Sequence, residues 1–170
     1  MTDHLVLMSG HPQASGSLPR LVPVLGDRGT ARLQRRLLEH LADTARRWRD
    51  SGPDRRVSVA CQGASAGEFR EWLGPDLDYE GDSGGSPGAR RAVASVRAFT
   101  RGADRVVLAG VQCPALDHVF LDTAFFALDH VDCVVGPGHA GRYYLVGLVA
   151  PAPYLFAGIP WGTGAVLART

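Results

Sequence analysis

Apolar residues in this chain follow two spacings, one typical of strands and one typical of helices. Short apolar runs predict strands at residues 4–8, 56–61, 77–79, 106–109, 133–135 and 143–148. Between them, apolar residues at every third or fourth position predict helices at residues 30–49, 66–73, 89–101 and 114–130, with a last short helix after residue 163. Because strands and helices alternate, we expect a three-layer α/β/α domain with a mostly parallel central sheet.

Two segments rich in Gly, Pro and Ser interrupt this pattern and are predicted as loops, at residues 9–27 and 81–88. The second is a candidate lid over a binding site. Neither is long enough to separate two domains, so residues 1–170 are expected to form a single domain.

Composition excludes several functions. The formal net charge is only +1, so we expect neither nucleic acid nor an anionic membrane as a partner. No apolar run approaches the ~20 residues that cross a bilayer, and the N-terminus lacks signal-peptide character, so a cytoplasmic protein is expected. All 18 basic residues are arginine, which excludes lysine as a Schiff base, general base or phosphate ligand.

Three cysteines, Cys61, Cys113 and Cys133, have no CxxC spacing. This argues against a disulfide framework and a structural zinc site. Each lies in or beside a predicted apolar strand, so we expect small buried side chains.

Two predicted loops leave strands at the edge where α/β proteins bind ligands, at residues 110–114 and 136–142. Neither loop contains a carboxylate. The first carries Gln112 and Cys113, and the second carries His139 and Arg142. The place where a metal or a base is expected is therefore nearly free of acidic groups.

Three motifs carry a family resemblance. They are Gly-Val-Gln-Cys-Pro-Ala-Leu at residues 110–116, the segment from Gly136 to Leu148, and Leu-Phe-Ala-Gly-Ile-Pro-Trp-Gly-Thr at residues 155–163. In these the chain resembles the bacterial radical-SAM/selenodomain-associated transferases, of the nucleotide-diphospho-sugar transferase (GT-A-like) superfamily. The resemblance implies that fold, and metal-dependent transfer from a nucleotide or nucleotide sugar.

Departures from the family pattern fall on its charged residues. Gly10 and Leu18 stand where the family has lysines, while Arg20 keeps a cation for a diphosphate. Gln112 and Ala140 replace the two carboxylates, and Arg142 replaces a glycine. The family also continues to a further acidic segment beyond the residue that matches Thr170. The resemblance therefore implies a degenerate, C-terminally short member.

Loss of these groups leaves three functional hypotheses open. A transferase neutralises its diphosphate leaving group with a carboxylate-bound divalent cation and basic side chains. Without them, the favoured hypothesis is a pseudoenzyme that binds a nucleotide or a protein. The alternatives are an active nucleotide-sugar or nucleotidyl transferase with atypical ligands, and a different small-molecule enzyme that reuses the cleft. We expect no cofactor, with Mg²⁺ or Mn²⁺ required only by the active transferase.

The candidate site follows from these loops and motifs. Expected ligand-binding residues are Arg20, Gln112, Gly136, Pro137, His139, Arg142, Tyr143 and Trp161. Candidate catalytic residues are His139, Arg142 and Cys113, whose thiol would gain reactivity just before a helix N-terminus. His11 and His139 could pair on a transition metal, but no third ligand is evident, so no metal site is predicted. Partners are a nucleotide or nucleotide sugar and, through apolar residues 145–156 or an unpaired sheet edge, a second copy or another protein.

Overall fold

A computed structural model describes residues 1–12 and 18–170 of the chain; part of the predicted first loop lies outside the described residues. Its central element is a sheet built from six described strands: β1 (Asp3–Gly10), β2 (Arg55–Gln62), β3 (Asp78–Glu80), β4 (Arg105–Gly110), β5 (Cys133–Pro137) and β6 (Tyr143–Leu148). Their order across the sheet is β3-β2-β1-β4-β6-β5. Parallel pairs join the first four of these, whereas β6 runs antiparallel to both β4 and β5. The expected mostly parallel sheet is confirmed.

Helices connect the strands and cover both faces of the sheet. They are α1 (Val22–Asp50), α2 (Ala66–Leu73), α3 (Pro87–Thr100), α4 (His118–Ala127) and the short α5 (Val166–Arg169). Residues from α1, α2 and α4 pack with one sheet face in a buried cluster that includes Leu38, Trp48, Phe69 and Phe125. Residues from α3 pack on the opposite face, around Val6 and Phe156. This arrangement gives the three layers that the alternation of elements predicts.

The longest helix begins earlier than predicted. Its expected start was Thr30, but α1 begins at Val22 and continues to Asp50, with a kink at Gly26 where φ is 67°. Most residues between 21 and 29 are exposed, and the segment contains Pro23 and Gly26, which are typical of loops, so the sequence pattern favoured a loop there.

Helix α4 begins later than predicted. Its start was expected at Pro114, yet the Asp117 carboxylate accepts a hydrogen bond from the Phe120 amide (2.9 Å) and caps a helix that starts at His118. Asp117 is thus the N-cap rather than part of the first turn. Cys113 stands five positions before the helix, so the expectation that it directly precedes the helix N-terminus was wrong, and its catalytic role stays a prediction.

The second predicted loop is shorter than expected, because Ser86 caps α3 and Pro87 occupies its first turn. Gly88 is buried within the helix, where an added Cβ would lie 2.2 Å from the Phe156 carbonyl oxygen. Residues 87 and 88 therefore belong to helix α3 and not to the predicted loop.

The cysteines differ in environment. Cys61 is buried, and burial raises the pKa of its thiol to about 12. Cys113 is partly buried and Cys133 is exposed on β5, so the expectation of burial was wrong for Cys133. The reason is the place of β5 at the sheet edge, where one side of the strand lacks a neighbour.

Of the helices that the structure describes, none has the length and apolar character that a membrane crossing requires.

Candidate functional site

Strand register brings the predicted loops together at one edge of the sheet. Gly10 of β1 pairs with Gln62 of β2, and Met8 pairs with Gly110 of β4, so three parallel strands end side by side. Because β6 is antiparallel, it begins where they end, and Tyr143 and Tyr144 lie at the same edge. A cleft of about 1200 Å³ opens there. This is where open α/β sheets bind ligands.

The loop after β4 forms the floor of this cleft. Gln112, Cys113 and Pro114 all line it. Gln112 is exposed and presents a neutral amide, and Cys113 is partly buried. The loop therefore offers hydrogen-bonding groups but no negative charge.

The hairpin loop between β5 and β6 forms one wall. Pro137, His139 and Arg142 line the cleft, as the sequence predicts. Gly136 instead lies beneath the Tyr144 ring, where an added Cβ would stand 2.8 Å from a ring carbon. Its role in the structure is to let this ring pack closely, and it does not line the cleft.

Arg142 is the notable cation of this wall. Its Nε is buried and has no hydrogen-bond partner among the described residues, and no described carboxylate lies within 4.0 Å of it. Its backbone is extended (φ −112°, ψ 173°) and its carbonyl accepts a hydrogen bond from Gly138 N (2.7 Å). An arginine side chain in this position can donate two parallel hydrogen bonds from its planar guanidinium to two oxygens of a phosphate.

Gly141 fastens the hairpin loop to the C-terminal segment. Its φ is +67°, and an added Cβ would lie 1.8 Å from the Gly164 carbonyl oxygen.

We expect Gly141→Ala to lower the free energy of unfolding by about 2 kcal/mol or more, because it combines left-handed strain with a backbone clash. Gly158→Ala is the matched control, since Gly158 has φ +68° and open space around it. Equal losses in urea unfolding of the two variants would contradict the close approach.

Two residues that the sequence analysis considers for the site, Arg20 and His11, are not among the described residues that line the cleft. Arg20 donates from Nη2 to the Gly162 carbonyl (2.6 Å) and joins the first loop to the C-terminal turn. His11 packs edge-on against Phe69 and Trp72, with ring centroids 5.4 and 5.6 Å apart. Of the two histidines, the described lining of the cleft includes His139 and not His11.

The predicted tyrosine and tryptophan positions meet on the other wall. Tyr143 and Trp161 contact edge-on at 6.1 Å and both line the cleft. Burial raises the pKa of the Tyr143 hydroxyl. Tyr144 packs on the opposite face of the sheet, because successive side chains of a strand point to opposite faces. Trp161 both borders the cleft and covers the core.

Helix α3 adds two arginines that the sequence analysis missed. Arg90 and Arg91 line the cleft. Arg90 donates to the Asp82 carboxylate (3.1 Å), while the Arg91 guanidinium lies over the Trp161 ring, 4.3 Å from its centroid. The signal was available: a helix that follows a parallel strand begins at the carboxyl edge, so arginines in its first turns face the ligand site.

A divalent cation of the kind that the resemblance implies does not fit these donors. Mg²⁺ and Mn²⁺ are held in proteins chiefly by carboxylate oxygens. Among the described residues that line the cleft there is no aspartate or glutamate, and arginines lie there instead. Within residues 1–12 and 18–170, no three His, Cys, Asp or Glu side chains form a potential ligand set.

Comparison with known structures identifies the fold. A proposed nucleotide-diphospho-sugar transferase from Desulfovibrio desulfuricans superposes with a TM-score of 0.87 at 27% identity, over 99% of this chain and 74% of that one. A 4-diphosphocytidyl-2C-methyl-D-erythritol synthase from Anaerococcus prevotii gives 0.61 at 12% identity, over 98% and 80%. A cytidylyltransferase from Leptospira borgpetersenii gives 0.55 at 14% identity, over 93% and 68%. The fold is thus the expected GT-A-like one.

Sequence comparison gives the family. No curated protein shows a significant match to the chain. A family profile described as "Uncharacterized protein conserved in bacteria (DUF2064)" matches residues 44–163, which include both loops that border the cleft and both arginines of α3. With a transferase-like fold and most of its length matched, the chain belongs to this bacterial family, DUF2064.

Proposed function

We propose that this transferase-like domain binds a nucleotide or nucleotide sugar in the cleft without a divalent cation and has lost metal-dependent transfer. The observation that carries the proposal is the charge of the cleft: arginines line it and no described lining residue is acidic. A diphosphate is anionic, so arginines can neutralise it directly where carboxylates would first need a metal.

Arg142 is the residue that we propose for the diphosphate. It is partly buried, its Nε has no hydrogen-bond partner in the described part of the chain, and it lines the same cleft as Gln112. Within this proposal, Gln112 and His139 donate hydrogen bonds to phosphate or sugar oxygens. The nucleotide class is supported by the cytidylyl compounds in the names of two structural neighbours.

The active transferase is the second candidate. It is favoured by the similarity, at 27% identity, to a proposed nucleotide-diphospho-sugar transferase over nearly the whole chain. The narrower kinship with the radical-SAM/selenodomain-associated transferases belongs to this hypothesis and is supported by the motifs at residues 110–116 and 136–148. A cytoplasmic location and a homodimer or protein partner stay predictions.

Calorimetric titration tests both candidates. We expect UDP, CDP or CTP, or a nucleotide sugar, to bind with the same affinity in EDTA as in Mg²⁺ or Mn²⁺. Arg142→Gln should weaken this affinity by about tenfold or more, because a charged hydrogen-bond donor is lost. Arg36→Gln, which removes the same charge from an exposed position on α1, is the control.

Two results would contradict the proposal. Binding that appears only with Mg²⁺ or Mn²⁺ would favour the active transferase. Absence of binding for every nucleotide and nucleotide sugar, in the folded wild-type protein, would exclude both candidates.

A further inference from the structure

Arg91 differs from the other arginines of its helix in having no acidic partner. Arg90 pairs with Asp82 (3.1 Å) and Arg97 pairs with Glu80 (3.8 Å). In contrast, no described carboxylate lies within ion-pair distance of Arg91, whose Nη1 donates to the Pro87 carbonyl (3.0 Å). The guanidinium therefore keeps most of its donors available while its position is fixed.

The surroundings of Arg91 remove water from the charge without neutralising it. Its guanidinium lies over the Trp161 ring, 4.3 Å from the ring centroid, and burial lowers the pKa of Arg91. The Tyr143 hydroxyl lies nearby, is buried and has Thr170 beside it, but no described residue gives it a hydrogen bond of normal geometry. A partly buried cation without a counter-charge is costly unless an anion binds there.

This cluster is separate from Arg142. Arg142 has an extended backbone and directly precedes Tyr143, so the two side chains leave the chain on opposite faces. Tyr143 and Trp161 pack with the α3 face of the sheet, whereas Tyr144 packs with the opposite face. The cleft thus has on each side one arginine that lacks an acidic partner among the described residues, Arg91 on the α3 side and Arg142 on the other.

We propose that Arg91, Trp161 and Tyr143 form a second anion subsite, which binds the phosphate or carboxylate group of a small second ligand that occupies the cleft beside the nucleotide. The Arg91 fork binds two oxygens of this group and the Tyr143 hydroxyl donates to a third. The Trp161 ring, over which the guanidinium lies, keeps Arg91 in the orientation needed for this contact. The subsite depends on the proposed function only for the identity of its neighbour, the nucleotide.

The test uses glucose 1-phosphate, inorganic phosphate and glucuronate as probes, titrated into the wild-type protein with and without saturating UDP. We expect glucose 1-phosphate or glucuronate to bind in the presence of UDP, and the stronger of the two identifies the anion. Arg91→Gln should weaken that binding by about tenfold or more and change UDP affinity less than about twofold. Arg91→Lys keeps the charge but loses the fork, so it should recover only part of the affinity.

Arg36→Gln again controls for net charge, and unfolding curves establish that each variant is folded. Because Trp161 lies under the guanidinium, probe binding should also change tryptophan fluorescence in the wild type and not in Trp161→Phe. Three results would overturn the inference: no probe binds to protein that binds UDP, Arg91→Gln leaves probe affinity unchanged, or it weakens UDP and the probes equally. Probe binding through Arg91 without any nucleotide binding would instead refute the proposed function alone.

Discussion

Replacing Phe125 with alanine should lower the free energy of unfolding by about 3–5 kcal/mol, since it removes a large ring from the core and leaves a cavity. Phe125 is only 3% exposed and stacks on Trp48, with ring centroids 4.7 Å apart and planes 16° from parallel. Trp48 is itself completely buried between α1 and the sheet. The ring pair therefore joins α1 and α4 to the same face of the core.

The matched control is the next residue. Phe126 is 66% exposed, so Phe126→Ala should change the free energy of unfolding by no more than about 0.5 kcal/mol. Both variants delete the same atoms from the same helix, and urea denaturation measures both. Similar losses in the two would show that α4 is rotated about its axis relative to this structure.

Acid should destabilise the fold through His4. This side chain on β1 is 2% exposed, and its Nε2 lies 2.9 Å from the Ser58 hydroxyl. Burial, assisted by the positive charges of Arg101 and Arg56 and opposed by Asp78, lowers the pKa of His4 from 6.5 to about 4. The folded protein therefore keeps His4 neutral at pH values where the unfolded chain protonates it.

The sign of the effect follows from proton binding. Between pH 6.5 and pH 4 the unfolded state binds the extra proton, so stability is complete above pH 6.5 and falls towards pH 4, where His4 accounts for a loss of about 3 kcal/mol. In His4→Gln this contribution should be absent. The measurement is the free energy of unfolding in urea at pH 7 and pH 4 for both proteins; equal losses in the two would exclude His4 as the cause.

At the two proposed anion positions, arginine side chains supply the positive charge that a bound metal ion supplies in metal-dependent transferases. Metal-dependent transferases place carboxylates where a cation must sit between protein and phosphate. In this chain arginines from α3 and from the β5–β6 loop face the cleft directly. A side chain that is already cationic needs no metal, but it also supplies no mobile Lewis acid for a leaving group. This exchange of charge is the reason why we propose binding without transfer.

Much of the fold could be predicted because it depends on local patterns. The strands at residues 106–109 and 143–148 and the helix at residues 66–73 all appear close to their predicted bounds. The predicted bounds were wrong at helix ends, where most residues are exposed and their burial does not reveal the helix. The exposed first turns of α1 contain Pro23 and Gly26, which favoured a loop, and α4 starts only where the Asp117 carboxylate caps it.

Some residues of the site could be predicted from local patterns, and others could not. Gln112, His139 and Arg142 line the cleft because loops that leave parallel strands at their carboxyl ends must meet at one edge. Arg90 and Arg91 were missed because α3 amphipathicity explains their polarity without reference to a ligand. Arg20 was assigned to the site, yet it binds the Gly162 carbonyl, a partner 142 residues away in sequence.

By itself, the sequence determined the order of the elements, the mostly parallel sheet and the absence of acids from two ligand-facing loops. These follow from apolar spacing and residue identity, which are local properties of the chain. Only the tertiary structure decided which of Phe125 and Phe126 is buried, that Arg90 has an acidic partner while Arg91 has none, and that Tyr143 and Trp161 share a wall with Arg91. Such facts depend on how distant segments approach one another, and no local pattern encodes the distance between a helix and a loop some 70 residues away.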